Sequence, residues 1–191
     1  MIPSYLIFAH LISDFVLQPS KLVEYKEKSF GGVLIHSLIH VVVATILLFP
    51  YLGHTAVWNA ILVSGVIHAV IDQGKISLQI RTDKYVYPFM LDQMLHFFTL
   101  YSVITFFKLN ALSEALPSNF FFDNIYVNKN LLVFLIAVVF CTVVYDIVGF
   151  QLKREKNSHL KFHFHNKHAT TRVLLAAIVF AAFTLISYAF A

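Results

Sequence analysis

The sequence predicts an all-α, polytopic integral membrane helix bundle of about six transmembrane helices, with residues 1–191 forming a single transmembrane domain. Three observations carry this. Of 191 residues, 59% are apolar and only 13% charged, where a soluble domain would carry about 25% charged residues. The mean hydropathy is +0.75. Stretches close to the ~20 apolar residues that a spanning helix needs recur along the whole chain.

In order, these stretches are residues 2–18, 32–51, 55–74, 88–108, 130–150 and 171–190. The last two are the cleanest, and the first four would be as clean but for His, Asp and Gln. The start, "MIPSYLIF", has no basic stretch and no small-residue cleavage site, so it reads as part of the first helix rather than a removable signal. Cys141 is the only cysteine and sits in an apolar run, which excludes a disulfide framework or Cys-rich metal site and leaves it a packing role. The segment "SNFFFDNIY" has the aromatic character of a membrane interface.

The formal charge of +4 is concentrated in alternate connections. Loop one carries Lys21, Lys26 and Lys28, loop three Lys75, Arg81 and Lys84, and loop five Lys153, Arg154, Lys156, Lys161 and Lys167. Such loops face the cytoplasm, which places the chain in an inner (plasma) membrane with both termini outside. The same reading accounts for the basic balance without a nucleic-acid partner. The lipid bilayer is the expected partner, and oligomerisation is left open.

The polar residues within the apolar stretches follow a rule. Segment one carries His10 and Asp14 in "HLISDFVLQ", segment two His36 and His40 in "HSLIH", segment three His68 and Asp72 in "HAVID", and segment four Asp92 and His96 in "DQMLH". Each pair is spaced i, i+4 and so lies on one helix face. Because successive spans run in opposite directions, all four pairs fall at one depth in the same half of the bilayer. An ionisable group in hydrocarbon costs about 2.5–3.5 kcal/mol or more, so these groups must face inward and either neutralise one another or bind something.

Histidine and aspartate together form a nitrogen/oxygen ligand set that suits zinc, with manganese or iron as alternatives. The eight residues His10, Asp14, His36, His40, His68, Asp72, Asp92 and His96 are the candidate metal ligands. They exceed the needs of one catalytic ion, so one or two ions are expected. Two ions about 3.5–4 Å apart would form a clamp for phosphoryl-transfer hydrolysis. A purely structural polar network is the alternative for the same residues. Gln18, Gln73 and Gln93 lie beside the pairs, either as interhelical hydrogen bonders or as supports for ligands. Asp146 lies at a similar depth and reads as a further ligand, a base or an ordinary helix-end carboxylate. His159, His163, His165 and His168 read as a solvated basic loop near lipid phosphates, with a metal-capture site as the alternative, and His54 lies in a short outer loop.

The run "HLISDFVLQ", "HSLIH", "HAVID" and "LDQMLH" resembles a bacterial family of small polytopic membrane proteins classed as a domain of unknown function. More remotely it is similar to inner-membrane metal-dependent hydrolases of the LexA-regulated type. The resemblance covers about residues 5–97 and implies that the eight residues occupy the motif positions.

Two functions follow as expectations. One is a membrane-embedded metal-dependent hydrolase, with Asp72 and Asp92 as catalytic carboxylates, acting at the cytoplasmic side on a lipid-linked or phosphate-containing substrate. Lys21, Lys75, Arg81 and Lys84 would ring the mouth and attract an anionic head group, or serve topology alone. The other is a divalent transition-metal transporter, whose pairs would ordinarily lie nearer the midplane. Haem binding fits poorly, because aspartates are unsuited to a porphyrin pocket.

Overall fold

Five of the six expected spans correspond to helices in the computed structural model, which describes residues 1–112 and 125–157 together with Leu160, Ile178 and Ala181. The expected helix 171–190 and the histidine-rich loop 159–168 lie outside the described residues. Of "SNFFFDNIY", only Ile125 and Tyr126 lie within them. Among the described residues every regular element is helical.

The chain enters on α1 (Ile2–Leu11), with a proline in its first turn where no amide partner is needed. It continues into a π-helical turn, Ile12–Val16, closed by the Leu17 amide donating to the Ile12 carbonyl at 2.8 Å. It then bends by 90° into α2 (Ser20–Lys28). Segment one is therefore a broken span or re-entrant element rather than a straight span over 2–18. The wider turn contains Asp14, and π-turns within helices are frequently associated with functional side chains.

Helix α2 replaces an expected loop. It folds back onto the start of α3 (Phe30–Leu47), which is capped by the Ser29 hydroxyl accepting from the Gly31 amide at 3.1 Å. Gly32 makes the fold-back possible, since a Cβ there would stand 2.5 Å from the Tyr25 carbonyl carbon. Helices α3 and α4 (Thr55–Thr82) also run close, with the Ser37 hydroxyl donating to the Gly65 carbonyl. A Cβ on Gly65 would lie 2.6 Å from Val41 Cγ2.

Helix α4 extends eight residues beyond the expected boundary at 74, to Thr82, and ends where Asp83 takes a left-handed conformation at φ 51°. Charge ends a hydrophobic stretch, but Lys75 and Arg81 are good helix formers and do not end a helix. Helix α5 (Val86–Phe106) has its N-terminus capped from far along the chain. Glu155 accepts from the Tyr85 and Val86 amides at 2.6 and 3.1 Å. A last helical stretch runs through α6 (Lys129–Val139), a π-turn (Phe140–Val144) holding Cys141, and α7 (Tyr145–Arg154).

Among the described residues, three helices are long and apolar enough to cross a membrane: Phe30–Leu47, Thr55–Thr82 and Lys129–Arg154, with a fourth span if the bent first pair is one. Helix α5 has the length, but Asp92, Gln93 and His96 interrupt its apolar run. The result is an all-α bundle with the character of a membrane protein.

Its two ends differ. Connections one, three and five meet at one end, where Arg154 forms a forked pair with Glu27 at 2.7 and 3.3 Å and its guanidinium lies 4.3 Å from the centre of the Tyr85 ring. The other end is aromatic. Tyr5 stacks on Tyr126 at 4.6 Å and donates to its carbonyl at 2.6 Å, and the Tyr126 hydroxyl donates to the Leu47 carbonyl at 2.7 Å.

Candidate metal centre

The four helix faces carrying the His/Asp pairs turn toward one another. Helix α1 with its π-turn supplies His10 and Asp14, α3 His36 and His40, α4 His68 and Asp72, and α5 Asp92 and His96; all eight are buried. The five imidazoles form one cluster. Ring centres lie 3.7 Å apart for His40 and His68, 4.0 Å for His68 and His96, 5.0 Å for His10 and His96, and 5.1 Å for His36 and His68. All the residues expected from the spacing rule are thus brought together.

The carboxylates are shared. Asp14 Oδ1 lies 3.0 Å from His36 Nε2, 2.7 Å from His40 Nε2 and 3.5 Å from His68 Nε2. Asp72 stands 3.4 Å from His68 and 3.7 Å from His36, and Asp92 3.3 Å from His96.

Two lysines complete the charge pattern. Lys26 Nζ meets Asp72 Oδ2 at 2.5 Å, and Lys75 Nζ meets Asp92 Oδ2 at 3.0 Å and Asp72 Oδ1 at 3.7 Å. Both were expected as loop or mouth cations. Lys26 is 5% exposed because α2 folds back over α3, which no spacing in the sequence announces. Lys75 had a visible signal, since it follows Asp72 by three residues and His68 by seven, on the same face of α4.

The glutamines divide. Gln93 Nε2 donates to Asp14 at 3.2 Å and to Asp92 at 3.0 Å. Gln18 has its amide oriented to donate to the Asp14 carbonyl at 3.0 Å and accept from Lys26 at 2.8 Å. These two hold the carboxylates and a lysine in place. Gln73 is half-buried on α4. Asp146, half-buried on α7, belongs to none of the His/Asp groups that could hold an ion.

Those groups are three: His10, Asp14, His40 and His68; His36, His68 and Asp72; and Asp14, Asp92 and His96. Within each, one ligand atom per residue lies within 4.8 Å of the others. Sharing of His68 and Asp14 merges the three into one continuous cage. The donor set fits a divalent transition ion. Buried Nε2 atoms of His10, His68 and His96 make no hydrogen bond of good geometry, although carboxylate oxygens stand 3.3–3.7 Å away. Buried ligand atoms gathered this closely are what a divalent ion would satisfy. The Nδ1 of His36 is likewise buried without a hydrogen-bond partner. The His/Asp cage could therefore hold a metal, and in the arrangement described its members are ion-paired mainly with each other and with the two lysines.

Residues 2–126, more than half of the chain, match the family DUF3307, described as a protein of unknown function, and the chain belongs to that family. No curated protein and no solved structure matches it. All four helix faces of the cage lie within the matched residues, and α6 and α7 lie beyond them.

Proposed function

We propose that the protein is a membrane-embedded, metal-dependent hydrolase acting on a lipid-linked or phosphate-containing substrate, with His10, Asp14, His36, His40, His68, Asp72, Asp92 and His96 as its metal ligands. One observation carries the reading: eight donor residues from four helix faces fall into three overlapping groups, each tight enough to share an ion.

When bound, a zinc, manganese or iron ion supplies a Lewis acid and a water acidified to about pKa 7. The chain's residues do the rest. Asp14 gathers His36 and His40 from α3 and is itself held by Gln93. Asp72 and Asp92 are the catalytic carboxylates, able to take a proton from the attacking water, and Lys26 and Lys75 fix their positions. Enclosure by helices keeps bulk water from competing and strengthens every charge interaction inside.

The test is release of phosphate from long-chain phosphate monoesters by purified protein in lipid nanodiscs. Turnover should require added divalent metal, stop with a chelator, and be abolished in Asp72→Asn and Asp92→Asn variants that still unfold cooperatively. Metal-loaded protein that releases no phosphate, yet passes metal across proteoliposomes, would replace this reading with transport.

A further inference from the structure

Two of the three carboxylates in the cage are already held by ammonium groups. Lys26 Nζ stands 2.5 Å from Asp72 Oδ2, and Lys75 Nζ lies 3.0 Å from Asp92 Oδ2 and 3.7 Å from Asp72 Oδ1. Lys75 therefore bridges Asp92 and Asp72, as a second metal ion between two carboxylates would. Asp14 is different. Among the described residues its ion-pair partners are imidazoles alone, those of His10, His36, His40 and His68.

The three overlapping donor groups differ accordingly. His36, His68 and Asp72 include the carboxylate nearest Lys26, and Asp14, Asp92 and His96 include the one nearest Lys75. The remaining group, His10, Asp14, His40 and His68, has four donors and no carboxylate paired with an ammonium. All four residues are buried, and the Nε2 atoms of His10 and His68 make no hydrogen bond. Imidazole and carboxylate are donors that zinc takes. A dication is attracted to a carboxylate but repelled by an ammonium that already sits on it, so this group is the favoured seat.

Charge sets the count. A histidine that binds a metal is neutral, so three carboxylates against two ammoniums leave the cage with one net negative charge. One divalent ion turns this to one positive. A second would leave three, enclosed by helices where an uncompensated charge is costly. Together the two ammoniums already supply the charge of one dication.

We infer that the cage holds a single divalent ion, seated among His10, Asp14, His40 and His68, and that Lys75 and Lys26 stand in for a second. This rests on the metal-dependent reading above and narrows its eight donors to four. It leaves Asp72 and Asp92 off the ion and so free to take a proton. It also gives the site a fixed positive charge beside the bound one.

Equilibrium dialysis of full-length protein in nanodiscs against buffered zinc, followed by elemental analysis, tests this on variants that unfold cooperatively. Wild type should hold one equivalent. His10→Ala and His40→Ala should each fall to background, whereas His36→Ala and His96→Ala should keep one equivalent. Lys75→Met empties the place between Asp72 and Asp92 and should hold two. Loaded with manganese, it should show the exchange-coupled spin resonance of two neighbouring ions. Lys75→Arg should restore one equivalent and the signal of an isolated ion. Two equivalents in wild type would overturn this inference and leave the metal-dependent reading standing. So would zinc lost equally from all four histidine variants, zinc kept in His10→Ala and His40→Ala but lost from His96→Ala, or a folded Lys75→Met that still holds one. The histidine variants decide the seat even where Lys75→Met does not fold. Folded wild type that takes up no zinc would overturn this inference together with the reading beneath it.

Discussion

Helices α3 and α4 bury 39% of their apolar stretches within the described chain, whereas the helix from Lys129 to Arg154 buries 11%. The first two carry His36, His40, His68 and Asp72 in their middles. The third is apolar from Leu131 to Val144 apart from Thr142, and it carries Asp146, Gln151, Lys153 and Arg154 toward its end. The contrast follows from the solvent. A helix with imidazoles and carboxylates at membrane depth must be covered by protein that neutralises them, so it recruits neighbours on several sides. A helix of hydrocarbon side chains is already satisfied by lipid and needs contact with the bundle over a narrow strip only. Coverage therefore follows polarity, and the cage is the reason the first four helical segments are packed as they are.

The sharpest way to break that contrast is to remove a charge from the cage. Lys26→Met leaves Asp72 without its closest cation, and breaking one side of a buried pair costs about 3–5 kcal/mol. Denaturation of metal-free protein in mixed micelles should show a loss of that order. Added zinc should restore part of it, because the ion also neutralises Asp72; an equal loss with and without zinc would separate the lysine from the metal site.

Gly32→Ala is expected to come next. The new methyl would meet the backbone of α2, and overpacking of this kind costs about 1–3 kcal/mol. The same substitution at Gly149, inside α7 where a Cβ meets nothing within 4 Å, should cost nothing and raise stability by up to about 1 kcal/mol, because glycine in a helix interior is less stable than alanine by about that amount.

The smallest effect is at Glu155, outside the spanning segments. Hydrogen bonds from the Tyr85 and Val86 amides hold its carboxyl below the ordinary glutamate range. A carboxylate depressed in the folded state stabilises at pH values above its unfolded pKa, and that contribution is lost as pH falls through the lower folded value. Wild-type protein should therefore lose slightly more stability on acidification than Glu155→Gln does. Identical acid profiles would mean that this cap adds nothing.

The sequence announced the bundle and the cage more fully than it announced their surroundings. The i, i+4 rule brought out all eight cage residues, because a helix period is local and alternation of spans fixes depth. The rule could not foresee that Asp14 would sit in a π-turn. It also could not foresee that the chain would bend by 90° after it and return as α2. That return depends on the close approach at Gly32, a tertiary event. Lys26 was consequently read as a loop charge when it is a buried counter-ion. Arg154 was read as topological charge, yet it and the neighbouring Glu155 tie the end of α7 to α2 and to the start of α5. Charge counting gives the side of a membrane, and only folding gives the partner.

Elemental analysis of purified, monodisperse protein supplied with zinc, manganese and iron salts tests the central claim most directly. One or two equivalents of a transition metal should remain after dialysis in the wild type, and the His36→Ala/His68→Ala double variant should fall to background while still unfolding cooperatively. Wild-type protein that unfolds cooperatively but holds no metal above background would contradict the account.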